Sequence, residues 1–305
     1  MSRVLITGGA GFIGSNLVDR LLAEGHSVDV VDDLSTGALK NLADARALGT
    51  QDRRFSFHQL DVRAPELVAL VERRKPELLI HLAGRVLTDP VADVQLNVLG
   101  TINVLEAARV AGVRKVIGVS GAAVYADAKP PFKETNAGEA PSPAGVARRT
   151  IADYLRLYRD LHQIEFAVLI VANAYGPRAR NGVVAEFAKA LVKGEPGAIN
   201  GDGEQTRDFV YVDDVVDAFV RSTEKGSGLL VNVGTGRQTK VIDVYHRLAG
   251  LVDFDEPASV AAPRSADRRK LALDPARARI HLGWQPFTQL DDGLRLTVEW
   301  WNTAQ

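Results

Sequence analysis

Between Arg3 and Ser120 the chain repeats one rhythm, a short and largely apolar run rich in β-branched residues followed by a stretch long enough for a helix. The runs are Val4 to Thr7, Val28 to Val31, Phe55 to His58, Leu78 to His81 and Val116 to Ser120. Runs this short fit strands buried on both faces, because half-exposed hairpins would alternate with polar residues. Parallel strands need crossover connections, and Phe12 to Glu24, Pro65 to Arg74 and Asp93 to Ala111 carry apolar residues at helical spacing. Gly25 and Gly112 stand where such helices would end in a residue tolerant of positive φ. The expected fold class is α/β, a doubly wound parallel sheet.

After Ser120 the rhythm loosens. Lys129-Pro130-Pro131 and the stretch Asn136 to Gly145 read as loop, followed by a helix from about Val146 to His162 and a strand at Phe166 to Val171. Beyond Tyr175-Gly176-Pro177 the segments are shorter and richer in glycine, which suits a smaller lobe held against the sheet. The expected division is 1–172 and 173–305, with 205–240 returning to the first part. The 305 residues allow one large α/β unit or two lobes sharing a core. Lys and Arg number 37 against 38 Asp and Glu, so bulk charge gives no reason to expect a nucleic-acid partner. The absence of cysteine excludes disulfides, thiolate metal sites and a cysteine nucleophile, and the dispersed histidines lead us to expect no metal. The apolar run near the start is too short for a signal peptide or a membrane span, so the expectation is a cytoplasmic protein with no membrane partner.

The first run ends in Thr7-Gly8-Gly9-Ala10-Gly11-Phe12-Ile13-Gly14, and an amphipathic helix begins inside that motif. Glycines at 8, 11 and 14 let the turn tighten, the backbone approach a pyrophosphate and the helix pack close to the strand, with the helix N-terminus facing the phosphates. A second strand then ends at Asp32, where a carboxylate would accept hydrogen bonds from ribose hydroxyls and repel a 2′-phosphate. Rossmann-type binding of NAD rather than NADP follows.

At this point the chain resembles the extended short-chain dehydrogenase/reductases of the NAD-dependent epimerase/dehydratase family, nearest to the UDP-glucose 4-epimerases. The matching segments are Thr7 to Ser15, Val31 to Gly37, Leu60-Asp61-Val62, His81-Leu82-Ala83-Gly84, Asn97 to Thr101, Asn173 to Arg178, Gly201-Asp202-Gly203 with Arg207-Asp208-Phe209-Val210, and Leu282-Gly283-Trp284. The resemblance implies that Gly8, Gly11, Phe12, Ile13, Gly14, Asp32, Asp33, Ser35, Thr36 and Gly37 belong to the cofactor site. It implies that Asp61 and Val62 contact the adenine, that Leu82, Ala83 and Gly84 line the groove, and that Asn97 supports the nicotinamide half. His81 is expected to pack at a strand end rather than act as a base. The implied substrate is a UDP- or dTDP-linked sugar, with Asn173, Val183, Phe187, Arg207 and Arg264 on its side of the site.

The catalytic positions depart from the family pattern. Such enzymes remove hydride from sugar C4 with a tyrosine as the base and a lysine four residues on to tune it. Here Ser142-Pro143 is followed by Ala144-Gly145-Val146-Ala147-Arg148, so alanine replaces the tyrosine and arginine the lysine. Gly121 stands where many relatives keep a hydroxyl residue, with Ser120 adjacent. Ile170 stands where many carry arginine. The residues left for chemistry are Ser120, Tyr125 and Arg148, with Glu134 as a further acid/base candidate; Arg148 would also touch the cofactor. Three readings remain: a nucleotide-sugar epimerase, dehydratase or related enzyme with a replacement acid/base, an NAD- and sugar-nucleotide-binding protein with impaired catalysis, or an ordinary site altered by mutation. A homodimer is expected, formed by the helix carrying Val91, Val94, Val98, Leu99, Ile102 and Leu105 with the one carrying Ile151, Leu155 and Tyr158.

Overall fold

The computed structural model describes residues 1–125, 129–136, 140, 142–262 and 268–303. Seven parallel strands form the central sheet: β1 (Arg3–Thr7), β2 (Ser27–Asp32), β3 (Phe55–Gln59), β4 (Leu78–His81), β5 (Lys115–Gly121), β6 (Glu165–Val171) and β7 (Leu229–Val233). Their spatial order is β7-β6-β5-β4-β1-β2-β3. The chain winds outward from β1 through β2 to β3, then returns to the other side of β1 to lay down β4 onward. The switch between β1 and β4 opens a crevice at the carboxyl ends of the strands, where doubly wound sheets bind ligands.

Alternation along the strands sorts the core into two layers. Val4 and Ile6 of β1, with Leu78 and Ile80 of β4, face a layer containing Leu17, Val18 and Leu21 of α1 (Phe12–Ala23). Leu5 and Leu79 face the opposite layer. That second layer is built from α3 (Glu66–Arg74), α4 (90–111) and α5 (Pro143–His162), which follow α2 (Ala43–Asp52). Within α4 the turns are α-helical over Pro90–Asp93, π-helical over Val94–Leu99 and α-helical again over Gly100–Ala111. Ser142 caps α5, its Oγ accepting from the Gly145 N–H at 3.2 Å, and Gly112 ends α4 at φ 70°.

Ile151, Leu155 and Tyr158 are buried in the second layer, and Val98 and Leu105 of α4 are buried too. Leu105, Ile151, Leu155 and Tyr158 thus pack within the chain's own second layer. The apolar side chains that α4 and α5 leave exposed include Val91, Val94, Leu99, Val146, Leu157 and Leu161.

Past residue 172 the chain adds α6 (Val183–Val192), α7 (Val212–Ser222), α8 (Val241–Leu251) and α9 (Leu290–Thr303), while β7 pairs with β6 in the main sheet. Asp208 ties this region together: its carboxylate accepts from Thr235 N and Oγ1, Gly236 N and Leu273 N at 2.6–3.1 Å. Trp284 is fully buried and donates its indole N–H to the Asp214 carbonyl at 2.8 Å, which gives Leu282-Gly283-Trp284 a packing role. No helix among the described residues is long and apolar enough to cross a membrane.

His81 ends β4 between two hydroxyls, with Thr7 Oγ1 at 2.6 Å from Nδ1 and Thr101 Oγ1 at 3.0 Å from Nε2. Burial holds its imidazole down at about 4, so it folds neutral. The unfolded chain binds this proton near pH 6.5, so the stability His81 confers is complete above that pH and is lost as pH falls toward 4, a change of about 3 kcal/mol. His81→Gln keeps bonding capacity without titrating. Urea unfolding at pH 7 and pH 4 should show the gap between wild type and variant moving by that amount in the variant's favour.

Candidate functional site

The crevice begins at the glycine turn. Gly8 adopts φ +72° and donates its N–H to the Val31 carbonyl at 2.8 Å, docking the turn on β2. A Cβ on Gly8 would lie 2.6 Å from Ala83 N, and one on Gly14 would lie 2.3 Å from the Gly8 carbonyl oxygen. These two glycines bring β1, β4 and α1 together at a separation that no side chain allows. Gly11 caps α1 without a side-chain hydrogen bond, and the first turn of α1 carries no acid. The helix N-terminus therefore keeps donors and positive dipole for an anion in the crevice.

Asp32 closes the turn from the other side. One carboxylate oxygen accepts from Ala10 N and the other from Leu34 N, both at 2.9 Å. Burial raises its carboxyl above the ordinary value, against the pull of those two bonds. Each oxygen retains a lone pair for a ligand hydroxyl. Asp33 accepts from Ser35 N at 2.9 Å and Ser35 Oγ at 2.7 Å, and Gly37 packs on Ala10, where a Cβ would lie 2.9 Å from the Ala10 carbonyl carbon.

One cleft gathers most of the sequence-predicted cofactor residues. Its wall includes Gly8, Gly11, Phe12, Ile13 and Gly14 from the turn, and Asp32, Asp33, Ser35 and Thr36 from the end of β2. Asp61 and Val62 follow β3, and Leu82, Ala83 and Gly84 follow β4. Gly37 is set behind this wall. Asp61 is held by Arg63, whose hydrogen bonds keep the carboxyl below its ordinary range. Sequence reasoning missed Arg85 in the same wall, although its place directly after Gly84 was a usable signal.

A second cleft adjoins the first and shares Ile13, Leu82, Ala83 and Gly84 with it. Asn97, Ser120, Gly121 and Arg148 complete its polar edge. Asn97 is fixed by Arg85 O at 2.8 Å and Asp93 Oδ1 at 2.9 Å. Ser120 Oγ and Arg148 Nη1 are buried and have no hydrogen-bond partner among the described residues. Burial lowers the Arg148 pKa, opposed by the nearby Asp93 carboxylate. Ala144, in the first turn of α5, is buried and is not in the wall of either cleft.

The other catalytic candidates lie elsewhere. Tyr125 is fully buried, its hydroxyl 2.5 Å from Asn232 Oδ1 and its ring 5.7 Å from Phe132; burial drives its pKa upward. Glu134 accepts from Asn232 N at 2.8 Å and faces Arg277 at 3.7 Å. Both are bonded to Asn232 of β7, and neither is in the wall of either cleft.

Of the substrate-side residues, Arg207 is buried, with Nη1 donating to the carbonyls of Thr206 and Arg268 at 2.8 Å. Asn173 N donates to the Asp208 carbonyl at 2.9 Å. Val183 opens α6, and Phe187 is buried edge-on to Tyr245 with ring centroids 5.4 Å apart. The structure sets Phe187 in the larger core cluster. Arg264 lies outside the described residues.

Residues 4–234 match the model of the NAD dependent epimerase/dehydratase family. The chain belongs to that family. It is 43% identical over 311 residues to a UDP-glucose 4-epimerase of Mycolicibacterium smegmatis, covering 97% of both chains. Its structure superposes on a Thermotoga maritima UDP-glucose 4-epimerase solved with UDP-glucose, with TM-score 0.93, 36% identity and 99% of each chain covered. A Thermus thermophilus UDP-glucose 4-epimerase in complex with NAD gives TM-score 0.90 at 32% identity, covering 99% of this chain and all of that one. Family membership and the Rossmann-type α/β fold thus agree.

The glycine contacts yield a stability prediction. Gly14→Ala gains about 1 kcal/mol of helix propensity, but its Cβ meets backbone that must shift, and overpacking costs about 1–3 kcal/mol or more. The variant should lose about 2 kcal/mol in urea unfolding, although alanine is the better helix former.

Proposed function

We propose that the chain binds NAD in the first cleft and a nucleoside-diphosphate sugar of the UDP class beside it, on an epimerase scaffold whose proton relay has been replaced. The first part is supported by the open N-terminus of α1, the close-packed glycines and Asp32, together with the NAD complex of the Thermus relative. The sugar is supported by the UDP-glucose complex of the Thermotoga relative. The proposed setting is the cytoplasm, where both ligands are at hand.

One observation carries the catalytic reading: position 144 is a methyl group, and neither Tyr125 nor Glu134 reaches the second cleft. NAD, when bound, supplies a reversible hydride acceptor. Oxidising a sugar hydroxyl also needs a group that takes its proton. Ser120 Oγ can orient such a hydroxyl, but it already carries its own proton and is not a base that takes the sugar's. Arg148 keeps its charge across the usable pH range and donates hydrogen bonds only. These residues hold and orient the sugar without moving its proton, so the chain binds both ligands with much reduced C4 epimerisation.

The test compares wild type with the double variant Ala144→Tyr, Arg148→Lys, incubated with NAD and UDP-glucose or UDP-galactose and followed by NMR. Loss of a general base costs about 10²–10⁴ in rate, so the double variant should turn over at least about 10²-fold faster while both proteins bind NAD in calorimetry. Equal rates would overturn the catalytic reading. Absence of NAD binding would overturn the whole.

We also propose a homodimer through the outward faces of α4 and α5. Val91, Leu99 and Leu161 are 66%, 54% and 63% exposed, an apolar density that an isolated surface seldom shows on two neighbouring helices. Light scattering should give twice the chain mass, and Leu157→Asp with Leu161→Asp should give the monomer.

A further inference from the structure

A separate pocket of about 190 Å³ lies between α5 and the face of the sheet that α5 covers. Its floor follows the strand register: Ser120 of β5 pairs with Ile170 of β6, and Val168 of β6 pairs with Leu230 of β7. α5 supplies the rim with Arg148, Arg149, Asp153 and Arg156. Arg156 Nη1 donates to Asp153 Oδ1 at 2.8 Å, and the Asp93 carboxylate lies near Arg148. Ser120 is 6% exposed, and its Oγ has no hydrogen-bond partner among the described residues. Arg148 Nη1 is in the same condition.

Two physical facts limit what can fill this space. Buried polar atoms left unpaired cost about 1–3 kcal/mol each, so a ligand that pairs Ser120 Oγ and Arg148 Nη1 recovers what the fold has forgone. Arginine forks fit carboxylates in a bidentate manner, while Val168, Ile170 and Leu230 offer nothing to a fully hydrated ion. Aliphatic Ile170 makes this part of the floor apolar. The occupant therefore has an anionic head and a short apolar body.

We propose that this pocket binds a small organic carboxylate, its head taken by Arg148 and Ser120 and its body lying on Ile170. The pocket is distinct from the first cleft but shares Ser120 and Arg148 with the second. A guanidinium drawn toward the carboxylate is withdrawn from the cleft, and linkage makes the two ligands affect one another equally.

Benzoate is the probe, titrated into the full chain by calorimetry and by NMR, with inorganic phosphate as the comparison. Benzoate should bind saturably and phosphate at least tenfold more weakly. Ile170→Trp fills the floor and should weaken benzoate about tenfold or more without changing NAD affinity. Should that variant fold poorly, Leu230→Phe fills the floor from the neighbouring strand and should give a loss in the same direction. Saturating benzoate should shift the UDP-glucose dissociation constant about fivefold. The carboxylate assignment is overturned by phosphate binding as tightly as benzoate, and the location by benzoate binding that both variants leave unchanged. An unmoved UDP-glucose affinity overturns the sharing of Arg148. NAD binding without benzoate is a separate readout, so failure of this pocket leaves the cofactor reading standing.

Discussion

The contact on which the site depends is the approach of Gly14 to the Gly8 carbonyl. It is a backbone contact, with room for no side chain on either residue. Because α1 can come this close to β1, its N-terminus sits over the carboxyl end of the sheet. Asp32 then locks the turn from β2 through Ala10 and Leu34. A strand, a helix end and a carboxylate are thus fixed by hydrogen bonds and excluded volume before any ligand arrives. Such preorganisation spares a ligand much of the ordering cost of binding.

The sheet order carries that local arrangement across the molecule. With β1 between β4 and β2, the ends of four strands open on one crevice, and the ends of β5 and β6 extend it toward α5. The second cleft therefore inherits its position from the same topology, and part of its chemistry from what α5 presents to it, here the Arg148 guanidinium. Position and chemistry are set by different residues, so the architecture of such a site is independent of the reactive groups it carries.

Much of this was legible in the sequence for a physical reason. Short apolar runs separated by helix-length segments leave few topologies, and the five expected strands over residues 4–120 coincide with β1 to β5. The glycine spacing was equally readable, since Gly8 and Gly14 answer to sterics within a few residues. Long-range partnerships were not. Nothing near Tyr125 announces that Asn232, more than a hundred residues on, takes its hydroxyl, or that Glu134 holds the same residue's N–H. The same holds for α5: helical periodicity shows that Ile151, Leu155 and Tyr158 share a side, and only the packing shows that this side meets the sheet.

Arg148 shows how the replaced relay shapes what remains. A lysine at that position could lower a neighbouring phenol's pKa as a compact charge, whereas a guanidinium spreads its charge over a plane and asks for several acceptors. Asp93 offers partial compensation, yet Nη1 is left without a partner and burial still lowers the arginine's pKa. Keeping such a group buried costs stability unless something accepts from it. Nη1 has no acceptor among the described residues, and both the second cleft and the pocket beneath α5 reach Arg148, so a molecule bound in either can accept from it and Arg148 couples the occupancy of the two spaces.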